Sequence, residues 1–220
     1  MRLLAITPIS VDRAELERRR HRYETLAPAG VTVALENLGD AADVPRALDD
    51  EADIRASEGA LLARYRDVDP EEWDGYLPDC VLDPVSGLEH GLCRPVFGIG
   101  RLASSFVAGQ GGRLAAVARN VAIAAELDRK LAEYAVGTVA PTAVLDLSVE
   151  DIADDATWAD AVGRRTARLD CVSHQNRENL VCFHGVVHFN LQERALFGVH
   201  SGLPELFRVH LAEAFITLDH

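Results

Sequence analysis

The sequence predicts an α/β protein of two pseudo-symmetric, doubly wound lobes with parallel sheets. Two observations carry that expectation. Short apolar runs alternate with longer amphipathic stretches along the chain, and the order of these segments repeats over about residues 1–97 and 110–200. Strands that alternate with helices form parallel sheets with right-handed crossovers. Lobe 1 is expected to hold residues 1–97 with 198–220, and lobe 2 residues 98–197.

Residues 3–7 read as the first strand, 12–26 as a polar helix and 31–35 as a second strand behind the turn residue Gly30. Residues 56–66 place Leu61, Leu62 and Tyr65 on one helical face. The strand at 75–81 runs into the stop-and-restart signal Asp83-Pro84, followed by one or two helical turns and a strand at 95–99. The series then restarts with a strand at 114–118. Asn120 can cap a helix over 121–134, in which Ala122, Ile123, Ala125, Leu127 and Leu131 pack. A strand at 138–145, a helix at 155–168 and a strand at 180–183 follow. Helices at 187–197 and 204–216 close the chain, with Pro204 allowed in a first turn.

Composition narrows the function. The 220 residues are 48% hydrophobic and 26% charged, the values of a globular enzyme. A net charge of −13 repels phosphate backbones and anionic bilayers, so neither nucleic acid nor a membrane is an expected partner. Arg18, Arg19, Arg20 and Arg22 form the one basic cluster, expected to be a solvated face. The opening apolar run meets Pro8 too soon for a signal peptide, and no stretch approaches a membrane span, so a cytoplasmic protein is expected. The cysteines 80, 93, 171 and 182 are irregularly spaced and suit free thiols.

In such a fold ligands bind beyond the carboxyl ends of the strands. The positions that matter are then 7–10, 80–84, 118–120 and 182–185. On residue type alone, Cys80 is either an acid/base at a strand end or a buried structural thiol. His184 and His188 stand four apart, but Gly-Val-Val lies between them in place of a Glu, so no metal is expected. Cys93 before Pro95 reads as core, Cys171 as a bystander, and the GQGG at 109–112 as a turn. Asp83 either caps the helix after it or contacts substrate.

Several segments, in order, resemble one family. The opening MRLLAITPIS resembles the I-N-P-N-[ST] start of hydantoin and aspartate/glutamate racemases. DGYLPDCVLDPV is similar to their first-cysteine segment, RPVFGIG to their PVVGIGEA turn, and GVHSGLPELFRVHLAEAF to their final strand and helix. The resemblance implies a cleft in which two opposed thiols exchange the α-proton of a chiral centre without a cofactor. It implies that Cys80 is one of them. NLVCFHGVV resembles the second-cysteine segment, IVLGCAGM, in an open register: the ungapped alignment falls on Phe183, and a shift of one either way reaches Cys182 or His184. Strand side chains alternate, so Cys182 and His184 share a face that Phe183 does not. A thiol keeps the chemistry symmetric; an imidazole suits a one-way reaction.

Two of the family's donors are missing. Its carboxylate-binding Asn corresponds to Ile9 and its second-lobe Thr to Ala118. Ser10, Arg119, Asn120, Ser104 and Ser105 could substitute, with backbone amides such as that of Gly185. The leading expectation is a cofactor-independent racemase or epimerase acting on a small molecule, as a homo-oligomer. The alternatives are a decarboxylase, lyase or cis–trans isomerase on the same scaffold, and a small-molecule-binding protein without catalysis.

Overall fold

The computed structural model describes residues 1–39, 44–86, 91–109, 114–138, 140–148, 151 and 156–164, with the backbone of two short strands at 184–185 and 195–198. The chain divides into two compact units, Met1–Leu102 and Ala103–His220.

The first unit follows the expected winding. It runs β1 (Arg2–Thr7), α1 (Arg13–Leu26), β2 (Thr32–Asn37), α2 (Glu51–Asp67) and β3 (Gly75–Pro78). The sheet order is β2-β1-β3, all parallel, with Leu4 level with Ala34 and Tyr76. The central β1 is buried from Leu3 to Thr7, which explains its unbroken apolar run: a parallel strand covered on both faces has no polar side. Leu4, Ile6, Leu61, Tyr65, Tyr76 and Val85 form the core, where Tyr65 and Tyr76 stack with ring centroids 4.5 Å apart. Asp12 caps α1 by accepting from the Glu15 amide. Asp50 and Asp53 form a capping box that starts α2 five residues before the expected 56.

Toward the end of the first unit the expectation fails. The strand at 95–99 reduces to a single bridge, Val96 to Tyr76, and α3 (Ile99–Gly109) is a helix. Residues 81–86 are turns, and none of the described residues from Pro84 to Gly98 is helical, so the short helix after Asp83-Pro84 is not seen there. Ile99, Leu102 and Phe106 recur along it at helical spacing.

The second unit contains β4 (Ala115–Ala118), α4 (Val121–Glu133), β5 (Ala143–Val144), a helical stretch at 156–164, β6 (His184–Gly185) and β7 (Ala195–Gly198). Asn120 caps α4 as expected. Ile123, Leu127 and Leu131 are buried; Ala125 is exposed and Ala122 half-buried, while Glu126 and Lys130 take inner positions instead. Trp158 and Val162 pack on Val117. The sheet order is β5-β4-β7-β6: β4 and β5 are parallel, whereas β7 is antiparallel to both β4 and β6. This sheet is mixed, and a strand stands where residues 195–197 were expected to end a helix, because a short apolar run carries no period of its own. The strand expected at 138–145 survives only as a bridge at Thr138 and as β5, on either side of Pro141, which has no amide to donate. The elements expected at 180–183 and 204–216 lie outside the described residues.

Candidate functional site

The parallel strands β1, β2 and β3 bring Thr7, Asn37 and Pro78 to one edge of the first sheet. The loop after β1 is tied down from several sides. The Thr7 hydroxyl donates to the Ile9 carbonyl at 2.9 Å and lies 3.4 Å from Asn37 Oδ1. Asn37 Nδ2 donates to the Val11 carbonyl at 2.5 Å, Ser57 Oγ to the Pro8 carbonyl at 2.7 Å, and the Ser10 amide to Pro45 at 3.0 Å. Ile9 is fully buried and Ser10 nearly so, so Ile9 is part of the packing. Thr7 fell within the strand-end stretch 7–10, but Asn37 and Ser57 were not singled out in the sequence. The polar residues that end β1 and β2 were the available signal.

Cys80 lies two residues beyond β3, 1% exposed. Its Sγ accepts from the Leu82 amide at 3.4 Å. Its carbonyl accepts from the Asp83 amide at 3.1 Å, and the Val85 amide donates to Glu58 at 3.1 Å. Asp83 and Val85 hold positive φ of 48° and 58°, a conformation that is costly for a β-branched residue and persists where surrounding bonds enforce it. Asp83 is the main enforcer. Its two carboxylate oxygens accept the amides of Gly100 at 2.8 Å and Arg101 at 2.6 Å. It therefore caps a helix, but α3, seventeen residues on, rather than one that follows it directly. Only glycine allows this approach: a Cβ at Gly98 would lie 2.6 Å from the Asp83 carboxyl carbon, and one at Gly100 would collide with the Val81 carbonyl.

Behind Cys80 stands a buried ionic cluster. Glu15, Arg19 and Tyr23 recur every four residues along α1, and Arg19 and Tyr23 reach Asp79. Arg19 contacts Asp79 Oδ2 at 2.5 Å and Glu15 at 2.8 Å, and Tyr23 donates to Asp79 Oδ1 at 2.7 Å. The basic cluster is thus not wholly a solvated face. Arg18 fits that reading, but Arg19 is 4% exposed, because α1 has too few apolar residues to dock by a stripe. Burial pulls the Arg19 pKa down, and the charges of Asp79 and Glu15 outweigh it, so the net direction is up. Burial would raise Glu15, but its bonds to Arg18 and Arg19 hold it below the ordinary 4.5. Burial first, and then the charge of Asp79, push Tyr23 well above 10. Asp79, the neighbour of Cys80, was overlooked in the sequence.

In the second unit Ala118 is fully buried and Arg119 is 4% exposed; their carbonyls accept from Leu145 at 2.8 Å and Leu147 at 3.1 Å. Asn120 Oδ1 accepts from the Ile123 amide at 2.8 Å, so its carboxamide oxygen serves the helix. Ser104 is buried and Ser105 exposed. The backbones of His184 and Gly185 pair with Gly198 and Phe197, which face Ala115 and Ala116. His184 is therefore level with the start of β4, while Ala118, Arg119 and Asn120 follow its other end. Cys182, Cys171, His174, His188 and His200 lie outside the described residues. Cys93, expected in the core, is exposed on the loop before the Val96 bridge. Among the described residues no group of three or more His, Cys, Asp or Glu is placed to hold a metal, and no helix is long and apolar enough to cross a membrane.

No protein-family model matches the sequence, and no curated protein matches it. Solved structures do. An allantoin racemase from Klebsiella pneumoniae superposes with a TM-score of 0.60 at 19% identity, over 76% of this chain and 68% of that one. An allantoin racemase from Pseudomonas fluorescens gives 0.59 at 13% identity, over 75% and 69%. The chain has the fold of these racemases.

Proposed function

We propose that this protein is a cofactor-independent racemase or epimerase in which Cys80 moves a proton at a carbon beside a ring carbonyl, as in a 5-substituted hydantoin such as allantoin. The observation that carries the reading is the Cys80 turn: a buried thiol just past a parallel strand, its sulfur facing an amide donor, in a fold shared with allantoin racemases. The Cys80 thiolate would take the proton from one face of the carbon, and Cys182 or His184 would return one to the other face. The developing oxyanion needs donors; backbone amides of the strand-end loops around Cys80, with Ser10, are the candidates. Polarimetry of single enantiomers of allantoin and 5-substituted hydantoins tests this. Optical rotation should decay to zero above the uncatalysed rate, and should stop decaying in whichever of Cys182→Ala and His184→Ala removes the second acid/base. Retention of rotation for every substrate, or release of carbon dioxide instead, would reject the racemase reading.

A further inference from the structure

We infer that Asp79, gripped by Arg19 and Tyr23, is a positioning residue that sets the aim of Cys80. This rests on the reading of Cys80 as an acid/base. The backbone of Asp79 donates to the Ile6 carbonyl of β1 at 2.9 Å, while its two carboxylate oxygens are taken by Arg19 and Tyr23 of α1. One residue thus ties the central strand to the helix across which it packs, and the next residue is the thiol. Arg19 is held in turn by Glu15, and Glu15 also by Arg18, so the charges alternate inward from the surface to Asp79. The donors are all long side chains ordered on one helix, which is an expensive way to dock a helix if packing alone were required. The arrangement is understandable if the direction of the Pro78-Asp79-Cys80 segment matters, because small misplacements of a reacting group cost large factors in rate. On the other side of the thiol, Asp83 fixes the turn to α3, so Cys80 is clamped by a carboxylate on each flank.

The test uses the full chain with Tyr23→Phe, which removes one hydrogen bond and leaves the ion pair, and with Asp79→Asn, which keeps the shape and removes the charge. Iodoacetamide labelling of the native protein, read by mass spectrometry, compares the Cys80 rate with that of exposed Cys93. Steady-state kinetics on allantoin gives kcat and KM separately. The expected result is a change of about tenfold in Cys80 labelling relative to Cys93 and a fall of about tenfold in kcat at nearly constant KM, with a cooperative melt retained. If Asp79→Asn does not fold, Tyr23→Phe decides. Folded variants with wild-type labelling and kcat overturn the inference, as does equal acceleration at both cysteines, which would mean general loosening. Should the wild type not turn over allantoin, the racemase reading fails for that substrate, and the labelling ratio still decides the positioning role.

Discussion

The turns β1–α1 and β4–α4 do the same topological job with different materials. Each leaves a parallel strand for a helix capped by an Asx side chain, Asp12 in one and Asn120 in the other. In the first, four residues separate strand and cap, Thr7, Asn37 and Ser57 pin them, and α1 docks through Glu15, Arg19 and Tyr23. In the second, Arg119 alone intervenes, and α4 docks mainly through Ile123, Leu127 and Leu131, with Glu126 and Lys130 buried beside them. An apolar stripe secures a helix at low cost in specificity. A buried ionic face constrains direction and charge as well, and it is found beside the candidate thiol.

The largest effects should therefore differ in kind. Asp79→Ala leaves Arg19 charged and buried with one partner fewer, and should cost about 3–5 kcal/mol of stability. Replacing the pair together, as Arg19→Met with Asp79→Leu, should recover much of that loss. Leu127→Ala in α4 should cost about 2–5 kcal/mol through a cavity, and no polar replacement should restore it. Chemical denaturation of the single and double variants checks both. If the double variant is as unstable as Asp79→Ala, the ionic face is not separable from the packing, and the contrast between the helices disappears.

An intermediate effect is expected at the Asp83 clamp. Asp83→Ala removes the acceptor of two buried amides and should cost about 1–3 kcal/mol. Gly100→Ala should be at least as damaging, because its Cβ meets the Val81 backbone and not a flexible side chain. Thermal melts decide. A neutral Gly100→Ala would mean that the Cys80 turn is free to shift. The caps should be smaller and alike: Asp12→Ala and Asn120→Ala at about 1 kcal/mol each.

The smallest effect is a pH dependence carried by Glu15 in the first unit. Glu15 is held below its ordinary value, so its contribution is complete above pH 4.5 and is lost as the pH falls toward its lowered folded value. Melting temperatures of the wild type should drop more steeply below about pH 4.5 than those of Glu15→Gln. Parallel curves would show that the Arg18 and Arg19 contacts do not bias the protonation of Glu15.

The same comparison explains what could be read in the sequence. The Asn120 cap, the central strand β1 and α4 were legible because local rules and an apolar period determine them: Asn120 predicts its own helix. The first-unit sheet followed from covered strands reading as apolar runs. Arg19 was misread because a buried arginine looks like a surface one until Asp79, sixty residues away, is brought beside it. Helix α3 was missed although Ile99, Leu102 and Phe106 recur at helical spacing, because the residues that lead into it, 95–99, read as a strand. The strand β7 was lost because a four-residue apolar run has no distinguishing period. Cys80 was picked out by its place after a strand and before Asp83-Pro84, and by family resemblance; its clamps at Asp79 and Asp83 depend on partners distant in sequence.

The most direct measurement of the central claim is proton exchange at the substrate carbon. Allantoin incubated in deuterated water with the wild type should gain solvent deuterium at its stereogenic carbon faster than in buffer, and Cys80→Ser should reduce that gain to the buffer rate while keeping a wild-type melt. Exchange at the wild-type rate in a folded Cys80→Ser, or none above buffer in the wild type, would contradict the account.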